Sequence, residues 1–315
     1  MLHGDGEPLL IYYEDEYTRF CYAVMKRDIS EFPAFQGRIE KKSLYDLETP
    51  YGYGGPLTDG LVLENSQRIF RMLMTEYCME NHIISQFVRF HPLLLNHGVL
   101  SEVIETRYLR DTIYIATESP EVIMKNMESK SRNMVRKAKK SGVTTIIKTI
   151  GDYQAFLPIY VETMAKNHAD EYYTFQREYF ESLKQLDGNA CIFYAMLDGE
   201  PISASIMLFN DRYIHYHLSG THTKYKQYAP GNLLLYEAAC WASEKKIQKF
   251  HLGGGMTSND SLFNFKKQFN KFGRAPFVVG RTIFDLNKYD ELRRLRKELD
   301  SDFDMDNEFM IQYRW

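Results

Sequence analysis

Lys266 is the residue of this 315-residue chain whose setting most invites chemistry. It sits in Phe265-Lys266-Lys267, after the loop Gly253-Gly254-Gly255 and among Phe263, Phe265 and Phe269. A cation near a tetrahedral intermediate or a phosphate would stabilise its developing negative charge. The same pair would otherwise be a solvated basic patch, with Lys266 partly exposed and of little weight in folding. A second feature lies upstream, where Gln227-Tyr228-Ala229-Pro230-Gly231-Asn232 leads into an amphipathic helix expected over 232–245. Open N–H groups and the helix dipole make such a start an anion site around Gly231 and Asn232, unless Asn232 is simply the cap.

Three further groups carry polar side chains at suggestive spacing. Tyr213, His215 and His217 alternate with Ile214, Tyr216 and Leu218, so on a strand the two histidines share a face. That face would bind substrate, pack as satisfied core histidines or hold a metal, and no clear third ligand supports the metal. Arg132 and Arg136 end a basic helix with Lys137, Lys139 and Lys140, where cations suit the dipole and where one or two would reach a phosphate. Thr49 to Pro56, TPYGYGGP, forms a stiffened loop that would set Tyr51 and Tyr53 at a cleft. There is no Ser-His-Asp order, GxSxG, Walker A motif or zinc spacing, so covalent catalysis has no support in the sequence.

The elements that must carry these groups follow a definite order. Leu9–Tyr13, Arg19–Met25, His82–Phe90 and Thr112–Ala116 read as strands. Ser66–Glu80 reads as a helix with Ile69, Met72, Leu73 and Tyr77 turned inward. Ser119-Pro120 opens a single helix that runs through Met127 and Val135 and stops at Gly142. A strand from Val143, two helices, a three-strand meander over Ala190–Leu218, the helix at 232–245 and the strand Lys249–Leu252 come next. A short helix and the strand Phe277–Phe284 close the series.

That order, with Thr49–Pro56, Arg132–Ala138, Thr221–Gly255 and Phe265-Lys266, resembles the FemABX aminoacyltransferases within the GNAT acyltransferase superfamily. The resemblance implies an α/β (α+β) fold of two GNAT-like domains with mixed, mostly antiparallel sheets flanked by helices. The expected domains are 1–118, with a tail 285–315 returning to pack on it, and 119–284. The family's functional lysine corresponds to Lys266. Acetyl-CoA enzymes of the superfamily place a glycine-rich turn where this chain has Pro230, which lacks an N–H. The resemblance therefore implies an aminoacyl-tRNA donor and a peptidoglycan precursor acceptor, with no tightly bound cofactor and no metal. An acyl-CoA-dependent N-acyltransferase and a non-catalytic binding protein on the same scaffold are the alternatives. No heptad run supplies the coiled-coil arm of the larger family members.

Composition bounds the remaining possibilities. The chain is 44% apolar, enough for two folded domains, and its formal charge of -3 gives no bulk attraction to nucleic acid or anionic lipid. Its 23 tyrosines suit polar ligand clefts. Cys21, Cys78, Cys191 and Cys240 form no CxxC pair, which fits a reducing cytoplasm. The opening MLHGDGEPLL has no basic stretch before an apolar run, so no signal peptide is expected, nor any transmembrane helix. A lipid-linked acceptor would be met by transient contact with the inner membrane face.

Overall fold

A computed structural model describes residues 6–166 and 175–314. The chain begins with β1 (Glu7–Glu14), β2 (Thr18–Asp28), β3 (Tyr45–Glu48), β4 (Leu57–Gly60), α1 (Glu64–Glu80) and β5 (Ile83–Arg89). It continues through β6 (Glu105–Ala116), α2 (Pro120–Asn126), α3 (Ser129–Lys140), β7 (Thr144–Thr149), α4 (Phe156–Lys166) and α5 (Arg177–Leu183). The meander β8 (Ala190–Leu197), β9 (Glu200–Phe209) and β10 (Tyr213–Thr221) leads to α6 (Pro230–Glu244), β11 (Lys249–Gly253) and α7 (Ser261–Lys267). Last come β12 (Arg274–Ile283) and α8 (Leu286–Leu299).

The chain divides into two compact units, one holding residues up to Arg110 together with those from Pro276 on, the other Asp111–Ala275. The divisions fall inside β6 and β12 rather than at Ser119 and after Phe284. The pairing gives the reason. β12 follows β11 in the chain, yet it pairs antiparallel with β5 in the first unit. β6 follows β5, yet it pairs antiparallel with β11 in the second. Each half of the sequence thus lends a strand to the other unit.

In the first unit the strand order is β1-β2-β3-β5-β12, with β4 also on β2. β3 and β5 are parallel and are joined through α1, which is 17 residues long. The helix buries Phe70, Met74 and Cys78, and leaves Ile69, Met72, Leu73 and Tyr77 exposed. This corrects the expected inward face. Both sets recur at i, i+4, i+8, so the sequence offers two apolar stripes about 100° apart. The sheet takes the one that interlocks with Phe20, Val24 and Ile83.

The second unit runs β6-β11-β10-β9-β8-β7. β10 and β11 are parallel, and α6 crosses between them. The expected single helix after Ser119 is two. Ser119 Oγ accepts from Val122 N at 3.3 Å and caps α2, but Met127 and Glu128 are extended. Glu128 N donates to Gln268 O at 2.8 Å, so a tertiary bond takes the donor that a continuous helix would need. Gly142 has φ +81 after α3, and Val143 N returns to Ala138 O. The left-handed closure is the one glycine allows without strain.

The C-terminal residues are locked into the first unit. Arg314 donates twice to the fully buried Asp46, at 2.7 and 2.9 Å, and Tyr313 Oη donates to it at 2.9 Å. Arg27 Nε adds a further bond at 2.8 Å. Burial pushes the Asp46 carboxyl up, but the charges of Arg27 and Arg314 outweigh it and hold the group below its ordinary value. Arg314→Met should therefore destabilise the protein by about 3 kcal/mol near neutral pH, measured by denaturant unfolding. A folded-state depression contributes fully above the unfolded value near 4 and is lost as pH falls through the folded value. The gap between wild type and variant should close in acid, and a gap unchanged at low pH would contradict the assignment.

Candidate active site

α7 begins at Asp260, whose carboxylate accepts from Phe263 N (2.8 Å) on the helix and from Met256 N (2.6 Å) and Thr257 N (3.0 Å) in the loop before it. These backbone donors hold the Asp260 carboxyl below its usual range. The loop closes tightly because residue 255 is glycine, where a Cβ would run into the Asp260 carboxylate. Phe263 and Phe269 are buried in the core, and Phe265 packs on it. This packing turns Lys266 inward.

Lys266 is only 7% exposed. Its Nζ donates to Gly254 O at 2.7 Å, in the loop that leaves β11, and stands 5.9 Å from the Tyr216 ring centroid. Among the described residues no carboxylate forms an ion pair with it. Burial lowers its pKa to about 8, a fall that the charge of Asp260 only partly opposes. Lys266 is thus not the solvated, partly exposed lysine considered from sequence. Lys267, one residue on, is half-buried.

Below Lys266 lies β10. It pairs with β11 only from Tyr213↔Lys249 to His215↔His251, and beyond that the parallel partners separate. Tyr216 comes next, on the α6 side, with Oη donating to Ser219 Oγ. Burial raises the Tyr216 phenol pKa, and Ser219 and Ser205 oppose the shift. Further along the strand Thr221 Oγ1 meets Ser203 Oγ at 2.7 Å and would lie 3.7 Å from a Cβ at Gly231. The distance from Tyr216 to Thr221 along the strand is roughly 15 Å. One strand therefore links the buried cation to the start of α6.

α6 starts at Pro230, two residues earlier than expected, behind Ala229 at φ +52. Asn232 is therefore not the cap. Its N–H turns back to Ala229 O at 3.2 Å, and its side-chain amide donates to Ser131 Oγ at 3.3 Å on α3. Proline at the first helical position loses nothing the helix needs, because that N–H has no helical acceptor. It does remove one donor from the turn that would face an anion. Gly231, half-exposed at the second position, keeps its N–H.

The remaining expected residues are not gathered at Lys266. A bulge between Tyr216 and Leu218 sets His217 and Leu218 both opposite Ile206. His217 bonds the Tyr179 hydroxyl, with its ring stacked 6.0 Å from that of Tyr179. His215 lies against His251 at 5.2 Å, and His251 Nε2 is 2.9 Å from Thr112 Oγ1. These histidines, with Tyr213 by alternation, occupy the sheet face opposite Tyr216. Among the described residues no three His, Cys, Asp or Glu side chains are grouped to hold a metal. Arg132 folds back on Met127 O, and Arg136, exposed, bonds Asn133 Oδ1 at 3.2 Å. Tyr51 and Tyr53 belong to the first unit, where Tyr53 packs edge-on against Phe277 at 5.3 Å and burial raises its phenol pKa. Sequence reasoning missed Tyr216, Ser219 and Gly254. Alternation marked the other face of β10 as the polar one, although Tyr216 carries a hydroxyl in the set taken for packing.

Residues 125–267 match the family model described as an acetyltransferase (GNAT) domain. The match lies within the second unit, and the fold of the chain is like that of FemX. The structure of FemX superposes with a TM-score of 0.65 at 12% identity, covering 90% of each chain. L-PGS from Bacillus licheniformis follows at 0.56 and 10% identity, over 87% of this chain and 83% of that one. The C-terminal domain of a putative lysylphosphatidylglycerol synthetase from Agrobacterium fabrum gives 0.55 at 11%, over 88% and 84%. At these identities the likeness is one of fold. No curated protein matches the sequence. Among the described residues no helix is long and apolar enough to cross a membrane.

The depressed lysine is directly testable. With 13C-labelled lysine, one Cε resonance should titrate near pH 8 and vanish in Lys266→Met. Between about 8 and the ordinary lysine value of 10.5 the unfolded chain binds the extra proton, so the stability of the wild type should rise with pH relative to that of Lys266→Met across that window. A full set of lysines titrating above about 10 would refute the buried setting.

Proposed function

We propose that this protein is an aminoacyltransferase that forms an amide on an amine acceptor. The donor in this reading is an aminoacyl-tRNA, and the acceptor is a peptidoglycan precursor with a free side-chain amine. The single observation that carries the reading is Lys266, a buried ammonium whose bonding partner is one neutral carbonyl and whose charge is not spent on an ion pair. In the reaction the acceptor amine attacks the ester carbonyl. A C–N bond forms, the C–O bond to the tRNA ribose breaks, and the amine proton leaves with that oxygen or to solvent. Negative charge peaks on the carbonyl oxygen in between, and a desolvated cation stabilises it more strongly than it does the neutral ester. Positioning of the two substrates supplies the rest. Aminoacyl-tRNA as donor would place the reaction in the cytoplasm.

The GNAT family match favours an acyl-CoA thioester as a second reading of the donor. Pro230 weighs against it, because a pyrophosphate cradle at α6 lacks that N–H. Isothermal calorimetry with acetyl-CoA should show affinity no tighter than about millimolar. Micromolar binding would transfer the proposal to acyl-CoA.

For the chemistry, Lys266→Met should lower turnover by ~100-fold or more, while Lys267→Ala changes it little. The wild-type rate should fall as pH rises past about 8, where Lys266 loses its charge, and this limb should be missing in the residual activity of Lys266→Met. Equal losses in the two variants would mean that the lysines act only as surface charge. Unlike the view from sequence, truncation to Ala at this buried position is expected to cost stability as well, so Met is the informative change.

A further inference from the structure

We infer that the exposed side of α3 and the turn 270–273 form the surface on which the RNA strand of the donor lies, with Phe272 as a stacking platform for one of its unpaired bases. The inference rests on the reading of the donor as an aminoacyl-tRNA. The charge of the whole chain conceals this surface. Residues 111–275 carry 21 Lys and Arg against 17 Asp and Glu, whereas the remaining residues carry 18 against 25. The second unit is therefore basic and the first acidic, although together they give only -3. A basic unit attracts a polyanion even when the chain as a whole does not.

Within the second unit the cations gather on α3, which has no Asp or Glu from Ser129 to Lys140. Ser131, Val135 and Ala138 face the core. At about 100° per residue, Lys130, Arg136, Lys137 and Lys140 then fall within about a third of the helix circumference on the opposite side. All four are exposed. Among the described residues the α3 cation held in an ion pair is Lys139, 2.7 Å from Glu237, and it lies off this stripe. Helix stability does not call for the arrangement. Arg136 and Lys140 are like charges at i, i+4, and Lys130 is a cation in the first turn, the end of the dipole that disfavours it. A row of phosphates supplies the missing counter-charge. A bilayer fits less well, because Val135 and Ala138 are buried and leave α3 no apolar face to insert.

The start of α3 is joined to the turn that follows α7. Glu128 N donates to Gln268 O at 2.8 Å, and Lys271 N donates to Asn126 O at 3.0 Å. The buried Asn270 fixes the turn, since its Oδ1 accepts from Phe272 N at 3.0 Å and its Nδ2 donates to Tyr114 O at 2.9 Å. Gly273 is pressed so close to Tyr114 O that a Cβ would not fit. These bonds hold Phe272 outward, 75% exposed, with Lys271 Nζ 5.6 Å from its ring centroid. An aromatic ring beside cations stacks an unpaired base while the cations hold its phosphates. Phe272 follows Lys266 by six residues, so the two lie no more than roughly 20 Å apart. An acylated strand end at Lys266 and an unpaired base on Phe272 then belong to one short single-stranded segment.

The test is fluorescence anisotropy of the full chain with a labelled RNA hairpin, once with a single-stranded 3′ tail and once blunt, over a range of salt. Circular dichroism and melting temperature check folding. The wild type should bind both hairpins, the tailed one more tightly. Lys137→Gln combined with Lys140→Gln should weaken both complexes ~10-fold or more and reduce the salt slope by roughly 1–2, as two lost phosphate contacts require. Lys148→Gln combined with Lys246→Gln removes the same charge from exposed positions of the same unit outside the stripe, and should change affinity less than ~2-fold. Phe272→Ser should weaken the tailed complex ~10-fold, with the blunt complex and the salt slope unchanged. RNA binding indifferent to the α3 changes or to Phe272→Ser would overturn this surface and leave the donor assignment standing. A wild type that binds neither hairpin would overturn both. Phe272-dependent binding to phosphatidylglycerol vesicles by a protein that does not bind RNA would also overturn the proposal and assign the turn to lipid.

Discussion

One hydrogen bond, from Lys266 Nζ to Gly254 O, organises the candidate site. A lysine costs several kcal/mol to bury as a charged group unless polar atoms compensate, and here the Gly254 carbonyl is the acceptor it meets. The carbonyl is available because β11 ends in a glycine loop. The loop holds its shape because the Asp260 carboxylate gathers its N–H groups and caps α7 at the same time. Phe263 and Phe265 of α7, with Phe269 just beyond it, then leave Lys266 no exposed position. An unneutralised cation in such a place is a standing cost to stability. The structure carries it where two parallel strands part.

The two-unit architecture rests on strand exchange. β6 and β12 each complete the sheet of the unit that the other half of the chain built. Both units contain a parallel strand–helix–strand element, β3–α1–β5 in one and β10–α6–β11 in the other. The loops that follow β3 and β10 differ in kind. After β3 comes the TPYGYGGP loop, where Asn96 binds the carbonyls of Gly54 and Pro56. After β10 comes the turn into Pro230 and Gly231. The repeated element was invisible in the sequence because its two copies share geometry without sharing residue pattern.

Much of the second unit was legible in advance. Gly142 and the Ser119-Pro120 cap are local devices, and local stereochemistry decides them whatever surrounds them. The break at Met127–Glu128 was not legible, because Gln268, remote in sequence, supplies the acceptor. The inward face of α1 was misassigned for a related reason. Ile69, Leu73 and Tyr77 and their neighbours Phe70, Met74 and Cys78 have the same period, and only the sheet beneath them selects between the two stripes.

The sequence by itself determined that a lysine follows a triple-glycine loop on a phenylalanine-rich helix, and that two histidines alternate along one strand. Those are matters of composition and period. Only tertiary structure decided that Lys266 is largely buried over Tyr216 while His215 and His217 face the other way, toward His251 and Tyr179. The side of a strand that becomes the site depends on which helices pack against it, and that is set by burial across the whole sheet rather than by any run of neighbouring residues.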